Sequence, residues 1–340
     1  MIQVTIIGAG VAGLWAAYRL AQAGASIRLI DRHGAPGPHG CSWWAGGMLA
    51  PGCEGAVAEP IITRLGRAAA TSWAEITEVT QRGSLVAALG RDRSELAQFA
   101  RRTSGHQLLD RTALAELEPE LAASEALYYP DEAHLNPRRA LADLVAALRE
   151  MGVEIIREEV DPRSIKGHVI DARGMGAAEG AALDHVADAQ ATPPPITSRL
   201  RGVRGEMAIL RSPEITLSRP VRLLHPRHPL YIVPREGGVF MLGATQIETG
   251  ARGPITARSL LELLSAAYAL DPRFAQAELI ETGADLRPAF PGNIPRAILR
   301  GNVLHLNGLF RHGFLLAPAL AGQAVKYLIH NEKGELFHED

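Results

Sequence analysis

The chain has 340 residues, enough for about two domains around a large core. Its 35 basic and 37 acidic side chains leave a formal net charge of −2, which gives no basic footprint for nucleic acid or an acidic membrane surface. No apolar stretch reaches the length of a membrane span and core-forming sequence starts almost at once, so a cytoplasmic protein without a signal peptide is expected.

An apolar run at residues 4–7 reads as a buried parallel strand. It feeds into Gly8-x-Gly10-x-x-Gly13 and a helical pattern over residues 14–23. Gly24 stops that helix, and a second strand over residues 26–30 ends in Asp31. This order is the fingerprint of a dinucleotide site. Gly8 allows the tight turn, Gly10 lets a pyrophosphate approach the backbone, and Gly13 lets helix and strand pack closely. The helix N-terminus faces the phosphates, and Asp31 accepts hydrogen bonds from a ribose diol. The alternative is a glycine-rich turn that merely starts a helix; the acid ending the second strand argues against it.

A polar loop at residues 32–40 leads into Cys41-Ser-Trp-Trp-Ala-Gly-Gly-Met-Leu-Ala-Pro51. Its small residues suit a segment lying against something flat or a phosphate, and equally an ordinary packing turn. Cys41 and Cys53, the only two cysteines, show neither metal-ligand nor CxxC spacing and read as reduced thiols. A helix is expected over residues 59–80, a strand over 83–89 and a polar-faced helix over 91–102. Asn136-Pro137 starts an amphipathic helix over residues 138–151, since proline is tolerated at the first helical position. Gly152 ends it, and strands follow at 153–157 and 168–171. Gly174-x-Gly176-x-x-x-Gly180 has no acid-ended strand after it and runs into Thr192-Pro-Pro-Pro195. It reads as a loop passing the first site, not as a second dinucleotide motif.

From Arg201 onward strands are expected at 206–210, 230–234, 239–243 and 278–286, with a helix over 259–270, a second domain of the α+β kind. A strand at 303–307, then Gly308-Leu-Phe-Arg-His-Gly313 and a helix over 314–329, mirror the opening unit. The N-terminus of that last helix offers a positive dipole end to an anionic ring system, which a reduced flavin needs and a nicotinamide does not. Residues 331–340 are polar and read as a loose tail. The fold class is α/β. A discontinuous, Rossmann-like dinucleotide-binding domain is expected over residues 1–80, 136–198 and 285–330, which the resemblance given below makes FAD-binding, and an α+β substrate domain over 81–135 and 199–284. His225 and His228 have i, i+3 spacing, but Pro226 argues against a helix and no other ligands accompany them, so no metal site is expected.

Several segments, in order along nearly the whole chain, resemble the FAD-dependent amine oxidase superfamily that includes D-amino acid oxidase and monomeric sarcosine oxidase. They are residues 6–13 with Asp31, residues 42–51, Arg201-Gly-Val-Arg-Gly-Glu206, Tyr231-Ile-Val-Pro-Arg235, Met241-Leu-Gly-Ala-Thr245, Leu286-Arg-Pro288 and Phe310-Arg-His-Gly-Phe-Leu-Leu-Ala-Pro318. The likeness is greatest to the glycine oxidase branch, which serves thiamine thiazole biosynthesis. The resemblance implies a second domain of the D-amino acid oxidase type and non-covalent FAD. It places the ADP half on Gly8, Gly10, Val11, Ala12, Gly13, Asp31 and Arg32, with Val160 meeting the adenine through its backbone. Ser42, Gly46, Gly47 and Met48 would line the flavin side, and Leu309, Phe310, Arg311, His312, Gly313, Phe314 and Leu315 would wrap the isoalloxazine. The substrate carboxylate would fall to Arg287, assisted by Tyr231 and Arg311.

Those three residues also make chemical sense. A carboxylate taken into an apolar pocket needs a paired cation, arginine offers a planar bidentate fork, and a tyrosine hydroxyl donates to the same group. Each also has a plainer reading, a salt-bridged arginine or a core tyrosine. Three departures from the family pattern stand out: His312 where glycine oxidases often carry asparagine, the charged Asp171-Ala-Arg-Gly174, and a short middle region. The implied reaction is hydride transfer from the Cα–H of a neutral amine to flavin, giving an imine, then glyoxylate and ammonia, with dioxygen reduced to hydrogen peroxide. No catalytic side chain is expected, because the cofactor carries the chemistry. The resemblance also implies a homo-oligomer and a thiazole synthase as a partner. Competing readings are an oxidase of sarcosine or small D-amino acids, an NAD(P)-dependent dehydrogenase, and a flavin-holding protein without turnover.

Overall fold

The computed structural model describes residues 2–181, 199–225 and 229–339. The Thr192-Pro-Pro-Pro195 run and His228 lie outside them.

The opening pattern folds as its residues dictate. Gln3–Ile7 and Ser26–Asp31 pair in parallel, joined by the helix Val11–Gln22. A seven-stranded sheet grows from them in the order Phe337–Glu339, Arg296–Arg300, Val303–Asn307, His168–Asp171, Gln3–Ile7, Ser26–Asp31, Ile155–Arg157. All its pairings are parallel except that of Arg296–Arg300 with Val303–Asn307. The helix Val11–Gln22 packs on both Gly313–His330 and Pro137–Glu150. Fully buried Trp15 and Trp73 meet edge to face with centroids 5.0 Å apart, and Trp73 stacks on Phe314 while its indole N–H donates to the Phe314 carbonyl at 2.7 Å. An aromatic stack of this kind fixes helix positions more tightly than aliphatic contact. Pro137–Glu150 starts as its sequence demands, the Asn136 side chain accepting from the Arg138 and Arg139 N–H groups.

The second sheet has nine strands and is largely antiparallel. Its spine is the long pair Arg201–Arg211 and Glu278–Ala289, and Ala257–Leu270 covers one face, burying Leu263, Ala267 and Leu270 with Phe240 and Phe274. Ser84–Ala88, Glu125–Tyr129 and Gln107–Asp110 extend its far edge.

Several elements differ from expectation, among them the strands Glu125–Tyr129, Val221–Leu224 and Arg296–Arg300, which were not foreseen. The helix foreseen over 59–80 is two short ones, Pro60–Gly66 and Ala69–Ala74. The break follows Gly66, where a side chain would meet Leu315 at 2.8 Å. Gln107–Asp110 and the helix Arg111–Leu117 carried no readable signal, because the strand is mostly exposed and lacks apolar alternation. The expected loose tail instead supplies the edge strand Phe337–Glu339. It is held there by buried Leu336, whose N–H donates to Gln323 Oε1 and whose carbonyl accepts from Ala297.

Candidate active site

A cavity of about 850 Å³ runs from the opening glycines, between the two sheets, to the segment before the last helix. At its nucleotide end the three glycines differ in what surrounds them. Gly8 has φ +105°, and a Cβ there would sit 2.6 Å from the Ala172 carbonyl oxygen. At Gly13 a Cβ would fall 1.9 Å from the Gly8 carbonyl oxygen, so strand and helix touch backbone to backbone. Gly10 meets only Ser42 Oγ at 3.5 Å and otherwise opens on the cavity. Two positions are therefore glycine for packing and one for access. Asp31 lines the cavity with its carboxylate fixed by the Ala9 and His33 N–H groups at 2.9 and 2.7 Å. Ser42 Oγ accepts from the Val11 N–H at 3.2 Å, tying the Cys41–Trp44 turn to the helix start.

The charged Asp171-Ala-Arg-Gly174 segment forms a cluster around the buried Asp171 carboxylate beside this loop. Arg173 grips Asp171 bidentately at 2.9 and 2.8 Å, and His305 Nδ1 lies 3.3 Å from the same carboxylate. Burial alone would push the Asp171 carboxyl up, but Arg173 and His305 outweigh it and hold it well below the usual range. Gly174 and Gly176 line the cavity, but the expected loop holds only to Met175, because Gly176–Ala181 forms a short helix.

At the far end the three expected substrate residues share one wall, in unequal states. Arg287 lies over Gly205, where a Cβ would meet its guanidinium at 2.1 Å. Its one hydrogen bond among the described residues is to the Thr245 carbonyl at 3.0 Å, and it has no carboxylate partner among them. Burial pulls its pKa down. Tyr231 is wedged between Gly46 and Gly243, where a Cβ would come within 2.7 and 2.6 Å of its ring, and its hydroxyl has no hydrogen-bond partner among the described residues. Arg311 is occupied: its Nη2 donates to buried Glu54.

Glu54 is the centre that sequence reasoning missed. One oxygen accepts from Arg222 Nη2 at 2.9 Å; the other takes Arg311 and lies 3.0 Å from His312 Nε2. Burial would raise this carboxyl, yet Arg222, Arg311 and His312 together keep it well below the usual range. All four side chains line the cavity. Arg235 was missed too. It donates to the Gly46 and Leu135 carbonyls at 2.5 and 2.9 Å, and burial lowers its pKa to about 10. Arg235 could be found in the Tyr231–Arg235 motif, whereas Glu54 and Arg222 carry no local signal.

Gly46, Gly47, Met48 and residues 309–315 line the cavity, as do Val11, Ala12 and Arg32. Val160 does not. It lies beyond the end of the strand Ile155–Arg157 and packs on Ile7, Val169 and Val303. Cys41 and Cys53 are free thiols, and burial pushes Cys41 up to about 12. Among the described residues no group of three or more His, Cys, Asp or Glu is placed to hold a metal ion. No helix among them is long and apolar enough to cross a membrane.

A flavin dinucleotide fits the residues present. The open face of Gly10 and the fixed Asp31 suit its pyrophosphate and ribose, and the buried polar atoms His312 Nδ1 and Arg222 Nε have no partner among the described residues. A family model for FAD dependent oxidoreductases matches residues 3–328. The chain is 48% identical over 339 residues, 98% of each chain, to a Rhizobium etli protein named as a thiamine biosynthesis oxidoreductase, ThiO. It is 25% identical to a bifunctional protein ThiO/ThiG of Trichormus variabilis, covering 98% of this chain and 53% of that one. The crystal structure of a glycine oxidase from Geobacillus kaustophilus superposes with a TM-score of 0.78 at 23% identity, covering 99% of this chain and 97% of the other. That likeness is one of fold, a mixed α/β one.

Proposed function

The chain belongs to the FAD dependent oxidoreductase family, and from that premise we propose that it oxidises glycine to the imine, which water converts to glyoxylate and ammonia. The observation that carries this reading is Arg287, a partly buried guanidinium on the cavity wall with no carboxylate partner among the described residues. A buried unpaired cation is costly unless a ligand completes it, and a carboxylate answers it with two parallel hydrogen bonds. Tyr231, its hydroxyl unused and its ring locked between two glycines, donates a further hydrogen bond to the same group.

When bound, FAD supplies the two-electron acceptor, with dioxygen the final oxidant and hydrogen peroxide the by-product. The chain supplies position. Gly8, Gly10, Gly13, Val11, Ala12, Asp31 and Arg32 hold the nucleotide end; Ser42, Gly46, Gly47, Met48 and residues 309–315 hold the ring; Arg287 and Tyr231 aim the amine by its carboxylate. No side chain acts as base. Glu54 faces the cavity but is held ionised with three donors on its two oxygens, so the amine reacts in its neutral form.

The domain division given above is part of this reading, with residues 331–340 joined to the FAD-binding part. The fused ThiO/ThiG relative supports a thiazole synthase as consumer of the product. The two free thiols support a cytoplasmic location, and exposed Leu261, Tyr268, Leu279 and Ile280 support a homo-oligomer. The test is to incubate purified holoenzyme with glycine, sarcosine and D-alanine. Anaerobic bleaching of the flavin and aerobic peroxide and glyoxylate with glycine are expected. Preferential turnover of sarcosine or D-alanine would reassign the substrate, and no bleaching by any of the three would end the oxidase reading.

A further inference from the structure

We propose that Arg222 is a specificity-determining residue: by sharing the Glu54 carboxylate it preserves a net positive charge at Arg311, which selects amines that carry a carboxylate. The inference rests on the reading of the substrate as an amino acid. Its basis is the stoichiometry of the cluster. Two guanidiniums, Arg222 and Arg311, flank one carboxylate, Glu54, and all three face the cavity. Two cations against one anion leave one positive charge on the cavity wall; Glu132, whose charge also reaches Arg222, does not line the cavity. Without Arg222, Glu54 and Arg311 would form a neutral pair, and of Arg287 and Arg311 only Arg287 would keep a charge with no carboxylate against it.

Three observations agree. Arg222 gives only Nη2 to Glu54 while its buried Nε has no partner among the described residues, so its geometry is not that of a saturated structural bridge. It comes from the strand Val221–Leu224, in the sheet distant from the opening glycines, whereas Arg311 leads into the last helix and Glu54 follows the Met48–Leu49 strand. Arg311 gives Glu54 one nitrogen, Nη2, and its Nε contact with His312 is long at 3.4 Å, leaving Nη1 for a ligand. In a dry cavity one unit of charge is felt much more strongly than at a surface. Arg222 acts through Arg311 and is a positioning residue in that sense.

The experiment compares FAD-loaded wild type with Arg222→Met, Arg222→Lys and the double variant Glu54→Gln/Arg222→Met. It measures KM and kcat for glycine and for glycinamide, which lacks the carboxylate charge, and acetate binding by the perturbation of the flavin spectrum. Arg222→Met should raise the glycine KM and the acetate Kd by about tenfold while moving the glycinamide KM less than about twofold. Arg222→Lys, with the charge kept, should hold the preference for glycine. The double variant again carries one net positive charge and should recover acetate binding to within about threefold of wild type. Equal losses for glycine and glycinamide, or a double variant that folds and binds acetate no better than the single one, would overturn the assignment. If Arg222→Met fails to fold, the double and lysine variants decide alone, by the same acetate criterion. A wild type that does not distinguish glycine from glycinamide would remove the carboxylate reading itself. Preference in the wild type retained by Arg222→Met would remove only the role of Arg222.

Discussion

Arg235 and Gly46, 189 residues apart in the chain, are joined by a hydrogen bond of 2.5 Å from the guanidinium to the carbonyl, and the same guanidinium holds the Leu135 carbonyl at 2.9 Å. Gly47, with φ +73° and its carbonyl accepting from the Leu135 N–H, is thereby fixed on the cavity wall. The second sheet thus sets the shape of a loop that runs into Met48–Leu49, a strand paired with Ala133–His134 outside both large sheets.

Arg235→Met should therefore loosen cofactor binding more than it harms the fold. It leaves two buried carbonyls unsatisfied, at about 1–3 kcal/mol each, but also removes a buried cation that has no carboxylate partner among the described residues, and the two partly cancel. The expected result is a thermal midpoint within a few degrees of wild type and a flavin content after gel filtration reduced to about half or less. Full flavin retention would show that the loop holds its shape without the arginine.

Gly10 and Gly13 should respond differently to alanine. Gly13→Ala places a Cβ 1.9 Å from a backbone oxygen that cannot yield without moving the strand, which costs about 3 kcal/mol or more. Gly10→Ala meets only the Ser42 hydroxyl at 3.5 Å, so the apoprotein should change by about 1 kcal/mol or less. Its new methyl projects toward the cavity, so flavin affinity should fall even though stability does not. Urea titration of the two apoproteins, with flavin titration of the Gly10 variant, separates packing from access.

What could be read from the sequence divides along one line. Gly8, Gly10, Gly13 and Asp31 form a local pattern whose spacing states its purpose, and the strand–helix–strand unit around them folds accordingly. Arg287, Tyr231 and Arg311 were reachable through motifs, and the structure puts all three on the cavity wall. The pairing of Glu54 with Arg222 and Arg311 was not reachable, because it closes over separations of 168 and 257 residues and a lone acid near a proline carries no periodicity. It alters what the motif implied: Arg311 arrives already bound to a carboxylate, and Arg287 does not. The terminal strand was hidden for a related reason. Phe337–Glu339 looks polar in isolation and becomes a strand only because Arg296–Arg300 offers it an edge.

Arg287→Met separates function from stability. The wild-type guanidinium is partly buried with one carbonyl acceptor, and desolvation already lowers its pKa, so the fold bears part of the cost of an unpaired cation. Losing the charged partner of a substrate carboxylate costs about 3 kcal/mol, which is about a 100-fold fall in kcat/KM. An apolar side chain of similar length should meanwhile leave the thermal midpoint unchanged or raise it. Stopped-flow anaerobic reduction by glycine and a melting curve test both halves. An unchanged reduction rate and KM would release Arg287 from the substrate site.

Acid should act on this fold in two separate windows. His134 is buried, and desolvation, with Arg235 and Arg82 nearby, lowers its pKa to about 4. A histidine whose folded value is depressed contributes stability that is fully present above its unfolded pKa of about 6.5 and is lost as pH falls toward the folded one. His134→Asn should remove that slope between about pH 6.5 and 4. Asp171 acts lower. Its folded pKa is depressed by Arg173 and His305 against the opposing effect of burial, so its contribution is present above the unfolded value of about 3.9 and fades only as pH drops through the folded one. Asp171→Asn leaves the partly exposed Arg173 guanidinium without its carboxylate and should cost about 1–2 kcal/mol at neutral pH. The gap from wild type should persist to about pH 4 and close below it. Chemical denaturation at half-unit pH steps would resolve the two. A His134 variant with the wild-type slope above pH 4, or an Asp171 variant whose deficit vanishes near pH 6, would show that the acid response comes from other groups.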